Sequence, residues 1–348
     1  MKNLIFICCI LIILFKTGNV LSDNNIFNVN NVEISKEIYK NKEKLVNTAF
    51  QKAFDKLINR LLLEEDYKKL SSISSAQIKK LISHYQIINQ NEKEEDNNSI
   101  EFNVFFDKDR MHDFFYNKDI LYSDIINTEV ILFPLLKKEE QYFIYTKNYF
   151  YKNWNEKKSD NLIEYTLPAE NIENIQKINS NKSNIYKLNV SDFFKEYEIE
   201  NIVFANIEIN ENTAEVFLNT RIEGKKINKN LSIDKKKDLN QRDFYKKIIS
   251  EINNIIRDLI KSQNLIDVKT PSFLNVEIKL NKKNNLVEFR NRLDKIDLID
   301  NFYVQQINKD YVLVKIKYLG KISKIINKLK NQNIDLKMIA GQWQINII

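Results

Sequence analysis

Tyr311-Val-Leu-Val-Lys-Ile-Lys-Tyr318 alternates without a slip, with Val312, Val314, Ile316 and Tyr318 on one side and a wetter face opposite. A period of two is that of a strand lying on a core with its other face in water. The segments around it read strand (Phe273 to Leu280), helix (Asn285 to Ile296), strand (Ile299 to Ile307), this strand, helix (Lys321 to Leu329) and strand (Leu336 to Ile347, with a break at Ala340-Gly341). Two βαβ-like halves of this length point to a ferredoxin-like βαββαβ domain over 269–348, set off by the joint Thr270-Pro271. Lys315 and Lys317 would guard Tyr311 to Tyr318 as an exposed edge, which favours a monomer.

Upstream, Glu129 to Leu136 is a continuous apolar run, the pattern of a strand buried on both faces. Leu162 to Leu167 gives a second strand, ending at Pro168, and helical segments follow near Ala169 to Ile178 and Ser191 to Tyr197. Asn201 to Ile209, Thr213 to Ile222 and Lys225 to Ile233 read as three strands joined by Asn210-Glu211-Asn212 and Glu223-Gly224. A helix from about Gln241 to Ser262 carries Phe244, Ile248, Ile252, Ile255, Ile256 and Leu259 on one side, the spacing of a helix laid across a sheet. The interval 128–268 is therefore expected to be a mixed α/β domain.

The interval 23–127 reads as an α+β domain. Phe27, Val29, Val32 and Ile34 alternate with a slip at Asn30-Asn31, and a long helix over Lys40 to Leu63 follows. Ser74 or Ser75 caps a helix with Ile78, Leu81 and Ile82; Tyr85 to Ile88 and Ile100 to Phe106 form a hairpin across the polar run Asn91 to Ser99. Asp107 caps a short helix, Lys108 to Tyr116, that turns Met111, Phe114 and Phe115 inward. The whole is a multi-domain α+β or α/β chain whose mixed sheets are covered by helices.

Met1 to Ser22 sets the compartment. Lys2 gives a positive start, Leu4 to Phe15 an apolar run shorter than the ~20 residues a membrane span needs, and Val20-Leu21-Ser22 a cleavage site. We read 1–22 as a signal peptide and the mature chain as exported to the periplasm, with no stable membrane span. Cys8 and Cys9 are the two cysteines of the sequence, so disulfides, thiolate nucleophiles and cysteine metal sites leave with the leader. Of the net charge of +7, Lys2 and Lys16 account for two. The densest runs, Lys225-Lys226 and Lys235-Lys236-Lys237, read as solvated charge rather than an anionic-surface contact. Nucleic acid is a poor partner for an exported chain.

The helix with Ala49 and Ala53, the Phe102-to-Phe106 strand leading into Asp107, the Val130-to-Leu136 strand, Tyr165-Thr166-Leu167-Pro168, and the closing strand-helix repeat through Gly320 together resemble the secreted proteobacterial family called domain of unknown function 2066. The resemblance runs over nearly the whole mature chain. It implies an envelope location and no catalytic residues to carry over.

The residues themselves name no chemistry. Four glycines make backbone phosphate cradles improbable, and the sequence holds no Gly-x-Ser-x-Gly elbow and no His-Glu-x-x-His helix. His112 with Asp109 and Asp113 lacks a third well-spaced ligand, so no metal, cofactor or catalytic residue is expected. Tyr142 to Trp154 is dense in aromatics; on a helix Phe150 and Trp154 share a face with Tyr151 alongside. Core packing is the plain reading of that run. The sharper reading makes Tyr149, Tyr151 and Trp154 a ligand or partner contact, a stacking platform for sugars. Two functions follow: a non-enzymatic envelope adaptor or assembly factor acting through protein contacts, or a periplasmic glycan or small-ligand binder, even a hydrolase, using an aromatic-lined interdomain cleft.

Overall fold

The computed structural model describes residues 25–35, 42–88, 99–155, 162–279 and 286–347. Residues 1–22, expected to be a signal peptide, and all but the last residue of the polar run Asn91 to Ser99 lie outside them. In chain order the elements begin β1 (Asn28–Ser35), α1 (Lys42–Leu61), α2 (Glu64–Leu70), α3 (Ser75–Leu81), β2 (Ile82–Ile88), β3 (Ser99–Phe106) and α4 (Lys108–Lys118). They continue β4 (Tyr122–Ser123), β5 (Thr128–Lys138), β6 (Gln141–Phe143), α5 (Tyr149–Asn153), β7 (Ile163–Thr166), α6 (Ile172–Ser180), β8 (Ile202–Ile209), β9 (Thr213–Ile222), β10 (Lys225–Asp234), α7 (Gln241–Ser262) and β11 (Leu265–Ile266). They close with β12 (Ser272–Lys279), α8 (Leu286–Leu293), β13 (Ile299–Ile307), β14 (Tyr311–Tyr318), α9 (Ile322–Asn331), β15 (Ile334–Ile339) and β16 (Gln342–Ile347). The chain is thus an α+β protein of several mixed sheets covered by helices.

Two compact units form. The first gathers the described residues of Met1–Leu57, Ile73–Asp119 and Asp267–Ile348; the second those of Ile58–Ser72 and Ile120–Ile266. Most of 23–127 therefore shares a unit with 269–348. Specific contacts join these two parts of the first unit: buried Asp297 accepts the Ile26 N–H at 3.2 Å, Lys108 Nζ donates to the Ile299 carbonyl at 3.0 Å, and Lys269 pairs with Asp119 at 2.7 Å.

In the first unit a three-stranded antiparallel sheet, β1-β3-β2, lies under α1, whose Ala49, Phe50, Ala53, Phe54 and Leu57 are buried. The slip at Asn30-Asn31 is a β-bulge between Val29 and Val32, with Asn31 at φ 57°, a left-handed conformation that asparagine tolerates. Ser74 accepts the Gln77 N–H to start α3, and Asp107 accepts the Arg110 N–H to start α4. Ile82 opens β2 instead of closing α3.

The five-stranded sheet of the same unit has the order β13-β14-β12-β16-β15. Strands β12, β13 and β14 take their ferredoxin-like places. The last strand does not: Leu336 to Ile347 is a hairpin, because Ala340 (φ 50°) and Gly341 (φ 82°) make a two-residue turn with both residues left-handed. Its second arm, β16, lies parallel to β12 and displaces β15 to the edge. Tyr311 to Tyr318 is also placed differently from the edge expected of it. As β14 it pairs with β13 and β12, so Lys315 and Lys317 guard no edge.

The second unit is built on a six-stranded sheet, β10-β9-β8-β5-β6, with β7 also pairing β5. β5 is buried on both faces, as its apolar run requires. Pro134 sits in the gap between β7 and β6, where Asn148 Nδ2 donates to its carbonyl at 2.9 Å, so the missing N–H interrupts no ladder on that side. α7 lays Phe244, Ile248, Ile252 and Ile256 against Val203, Ala205, Val216 and Leu218. Each such side chain contributes about 1.5–3 kcal/mol by burial. The other face packs Ile131, Phe133 and Phe204 under Ile178, Phe193 and Phe194. The second helical segment expected at Ser191 to Tyr197 shrinks to a 3-10 turn, Val190–Phe193.

The last turn of α7 also fixes the bend between α1 and α2. Lys261, 1% exposed, donates through Nζ to the carbonyls of Asn59 (2.5 Å) and Leu62 (2.6 Å). Three residues earlier, Asp258 accepts the Glu64 N–H at 3.4 Å. A cation thus meets the carbonyl end of one helix and an anion the amide end of the next, each matched to the local dipole. Lys261→Met is expected to lower stability by about 3 kcal/mol, since two helix-end carbonyls and Asp258 lose their buried partner. Urea unfolding followed by far-UV circular dichroism measures it; a change under 1 kcal/mol would mean water replaces the ammonium at ~no penalty.

Candidate functional site

The aromatic run Tyr142 to Trp154 is distributed over several short elements. Only Tyr149–Asn153 is α-helical, as α5, started by Asn148 Oδ1 accepting the Phe150 N–H. Trp154, 2% exposed, lies in the core beneath α7, edge-on to Tyr165 at 6.0 Å. Tyr149 is half-buried against Tyr245 at 4.8 Å. Tyr151 belongs to the opposite face of the sheet, where it meets Tyr145 at 5.5 Å and donates its hydroxyl to the Pro168 carbonyl at 2.8 Å. The three residues do not share a surface, and the indole offers no face to a sugar. The stacking platform is therefore corrected to core packing: a five-residue helix between two layers sends consecutive side chains into both.

The histidines also serve packing. His112 is buried, with its ring edge-on to Phe27 at 5.5 Å. Burial first, and Lys108 second, push its pKa down to about 4, against the smaller opposite pulls of Asp300, Asp109 and Asp113. His84 is exposed and stacked on Phe105 at 4.3 Å. No group of three metal-ligating side chains gathers among the described residues.

What the first unit does offer is sheet edge. β1 is closed by α1, because Lys52 Nζ and Lys56 Nζ donate to the Glu33 and Asn31 carbonyls at 2.8 and 2.9 Å. β15 is short and charged, with Lys337 and Asp335 paired at 2.6 Å. In the second unit β10 carries Lys225, Lys226 and Lys229. Charged or covered edges of this kind resist pairing with a foreign strand. The outer strand β2 likewise carries no Lys, Arg, Asp or Glu and exposes Tyr85 and Ile87, though Arg110 donates to its first carbonyl, that of Ile82, at 3.3 Å. The longer of these less guarded edge strands is β13. From Asn301 to Ile307 it has no charge, no proline and no glycine, and Tyr303 (47%), Val304 (40%) and Ile307 (65%) are exposed. Among the described residues no side chain donates to its carbonyls beyond Ile299. Beside it, the helix-free face carries Phe273 with Lys315 Nζ 4.3 Å from the ring centre, and Lys317 paired with Asp300 at 2.6 Å. Strand patterning located β13 but not its edge position, which depends on β14 being drawn inside.

No family model and no curated protein matches this chain. The crystal structure of lipoprotein GNA1162 from Neisseria meningitidis matches 37% of this chain and 96% of its own, at 14% identity and a TM-score of 0.24. A likeness at that score carries neither architecture nor role across. No described helix is long and apolar enough to cross a membrane.

Two measurements check the core placements. In a Trp343→Phe background the remaining indole, Trp154, is expected to emit in the blue, resist acrylamide quenching and ignore added glycans; a red, quenchable emission would return it to the surface. For His112 the unfolded chain takes up a proton near pH 6.5 and the folded one near 4, so stability falls as pH drops through that window. At about 1.4 kcal/mol per unit the loss is about 3 kcal/mol. His112→Leu is expected to remove that slope in urea titrations run between pH 7.5 and 4.5.

Proposed function

We propose that this chain is an exported envelope adaptor or assembly factor that acts by taking up an extended segment of another protein on β13. One observation carries the reading: β13, a longer edge strand than β2, lacks from Asn301 to Ile307 the charges carried by β10 and β15 and the covering lysines of β1. Main-chain hydrogen bonds along such an edge supply affinity, and alternate side chains supply selection. The fitting segment places apolar residues on the side of Phe302 and Val304 and polar ones on the side of Tyr303. The apolar segment in Met1 to Ser22 supports export, and the resemblance to domain of unknown function 2066 supports an envelope setting; the chain is read as without enzymatic activity.

The test places a photo-crosslinking amino acid at Gln305 in cells, with the same probe at Lys229 on β10 as control. The reading expects a heteromeric adduct from Gln305 alone, reduced at least tenfold by Val304→Lys with the thermal midpoint unchanged. Adducts of equal yield at both positions, or adducts only with a second copy of the chain, would overturn it.

A further inference from the structure

The side of the six-stranded sheet away from α7 is covered unevenly. Over β5 and β8, α6 and the 3-10 turns Lys182–Lys187 and Val190–Phe193 close on Ile131, Phe133 and Phe204. Towards β9 and β10 that layer ends at a cavity of about 250 Å³, whose lining includes Asn189 and Ser191 from the turns and Asn219, Arg221, Lys226 and Asn228 from the strands.

Register decides what the strands present there. Glu223 (φ 46°) and Gly224 (φ 78°) form a two-residue turn, which sets Arg221 opposite Lys226 and Asn219 opposite Asn228. Residues two apart share a face, and directly opposed residues hold their Cβ atoms about 4.5–5.5 Å apart. Two cations and two carboxamides therefore form one patch. Like charges directly opposed destabilise a strand pair unless something neutralises them. No carboxylate lines the cavity, and neither Arg221 nor Lys226 makes an ion pair among the described residues. The nearby Asp192 is engaged by Lys195 at 2.8 Å.

We infer that this cavity binds a phosphate-type oxyanion, a phosphate monoester or inorganic phosphate. Such a group carries about −1.5 to −2 charge near neutral pH, which answers both cations, whereas a single carboxylate leaves one unanswered. Arg221 supplies the fork of donors, Lys226 the point charge, and the Asn219 and Asn228 amides neutral donors. The cavity is smaller than the ~300–1,000 Å³ of sites for drug-sized ligands, a size for one phosphate and a short attachment.

The experiment titrates the full chain with inorganic phosphate and with glycerol 3-phosphate by calorimetry at about 0.15 M salt, where diffuse attraction is screened. Saturable one-to-one binding is expected, weakened at least tenfold by Arg221→Gln or Lys226→Gln and unchanged by Lys225→Gln with Lys229→Gln, which removes charge from the other face of β10. Should Arg221→Gln unfold, Asn228→Asp places a repelling charge in the same patch and must abolish binding. Absence of saturation, or equal loss in the on-face and off-face variants, overturns the site. Flotation with phosphatidylcholine vesicles containing phosphatidic acid, reversed by glycerol 3-phosphate, assigns the group to a lipid headgroup. Monoester binding without flotation assigns it to a soluble compound, and both results support the site.

Discussion

A buried ammonium determines how the second unit can be built. Lys261 has left water, and only acceptors with unmet capacity compensate that loss; the last carbonyls of α1 are such acceptors, since a helix end has no partners of its own for them. Because Asp258 takes the first amide of α2 from the same helix, α7 holds both sides of the bend Leu62–Glu64 through two residues on one face. Burial raises the Asp258 carboxyl pKa and Lys261 pulls it the other way, so each charge makes the other tolerable. The apolar side of α7 then lies across the sheet, and the pairs that follow inherit that placement.

The sheets differ in how they end, and the difference is chemical. Three edges are guarded: β1 is covered by lysines from a neighbouring helix, and β10 and β15 carry charge, while β2 is covered only at Ile82, by Arg110. β13 has two bulges, one at Asp300 between Ile299 and Asn301, where the carboxylate is paired with Lys317, and one between Val304 and Gln306; both increase its local twist, and the second adds no charge. Twist discourages long cross-β stacking while leaving short pairing open. An edge treated this way suits a single incoming strand better than a growing fibril.

The sequence reading was strongest where one period decided the outcome. β14, β9 and α7 lie close to where alternation or the three-four spacing placed them, and the bulge at Asn30-Asn31 sits at the slip in the pattern. It was weakest where neighbours decide. Alternation in Tyr311 to Tyr318 is the same for an edge strand and an inner one, so its lysines looked like edge guards. The Tyr142 to Trp154 run has one composition for a platform and for a core, and only the layers on either side of α5 distinguish them. α2, Glu-Glu-Asp-Tyr-Lys-Lys-Leu, has almost no apolar repeat; acids in its first turn and lysines in its last hold it as a helix, with Lys68 and Glu64 paired at 2.7 Å.

Tight turns carry more of this protein's chemistry than its glycine content suggests. Gly224 and Gly341 each occupy a left-handed position where an added Cβ would meet nothing, so glycine is required there by backbone conformation rather than by space. A two-residue turn leaves no freedom of register, and a slip of one residue would send every side chain to the opposite face. At Ala340-Gly341 the consequence is architectural: β16 is brought alongside β12 and the usual last strand is moved outward. At Glu223-Gly224 it is electrostatic. Lys225-Lys226 looks like solvated charge in the sequence, yet the turn puts these two lysines on opposite faces of β10 and gives one of them Arg221 as its direct neighbour. The same turn chemistry thus sets an edge in one sheet and a positive patch in another.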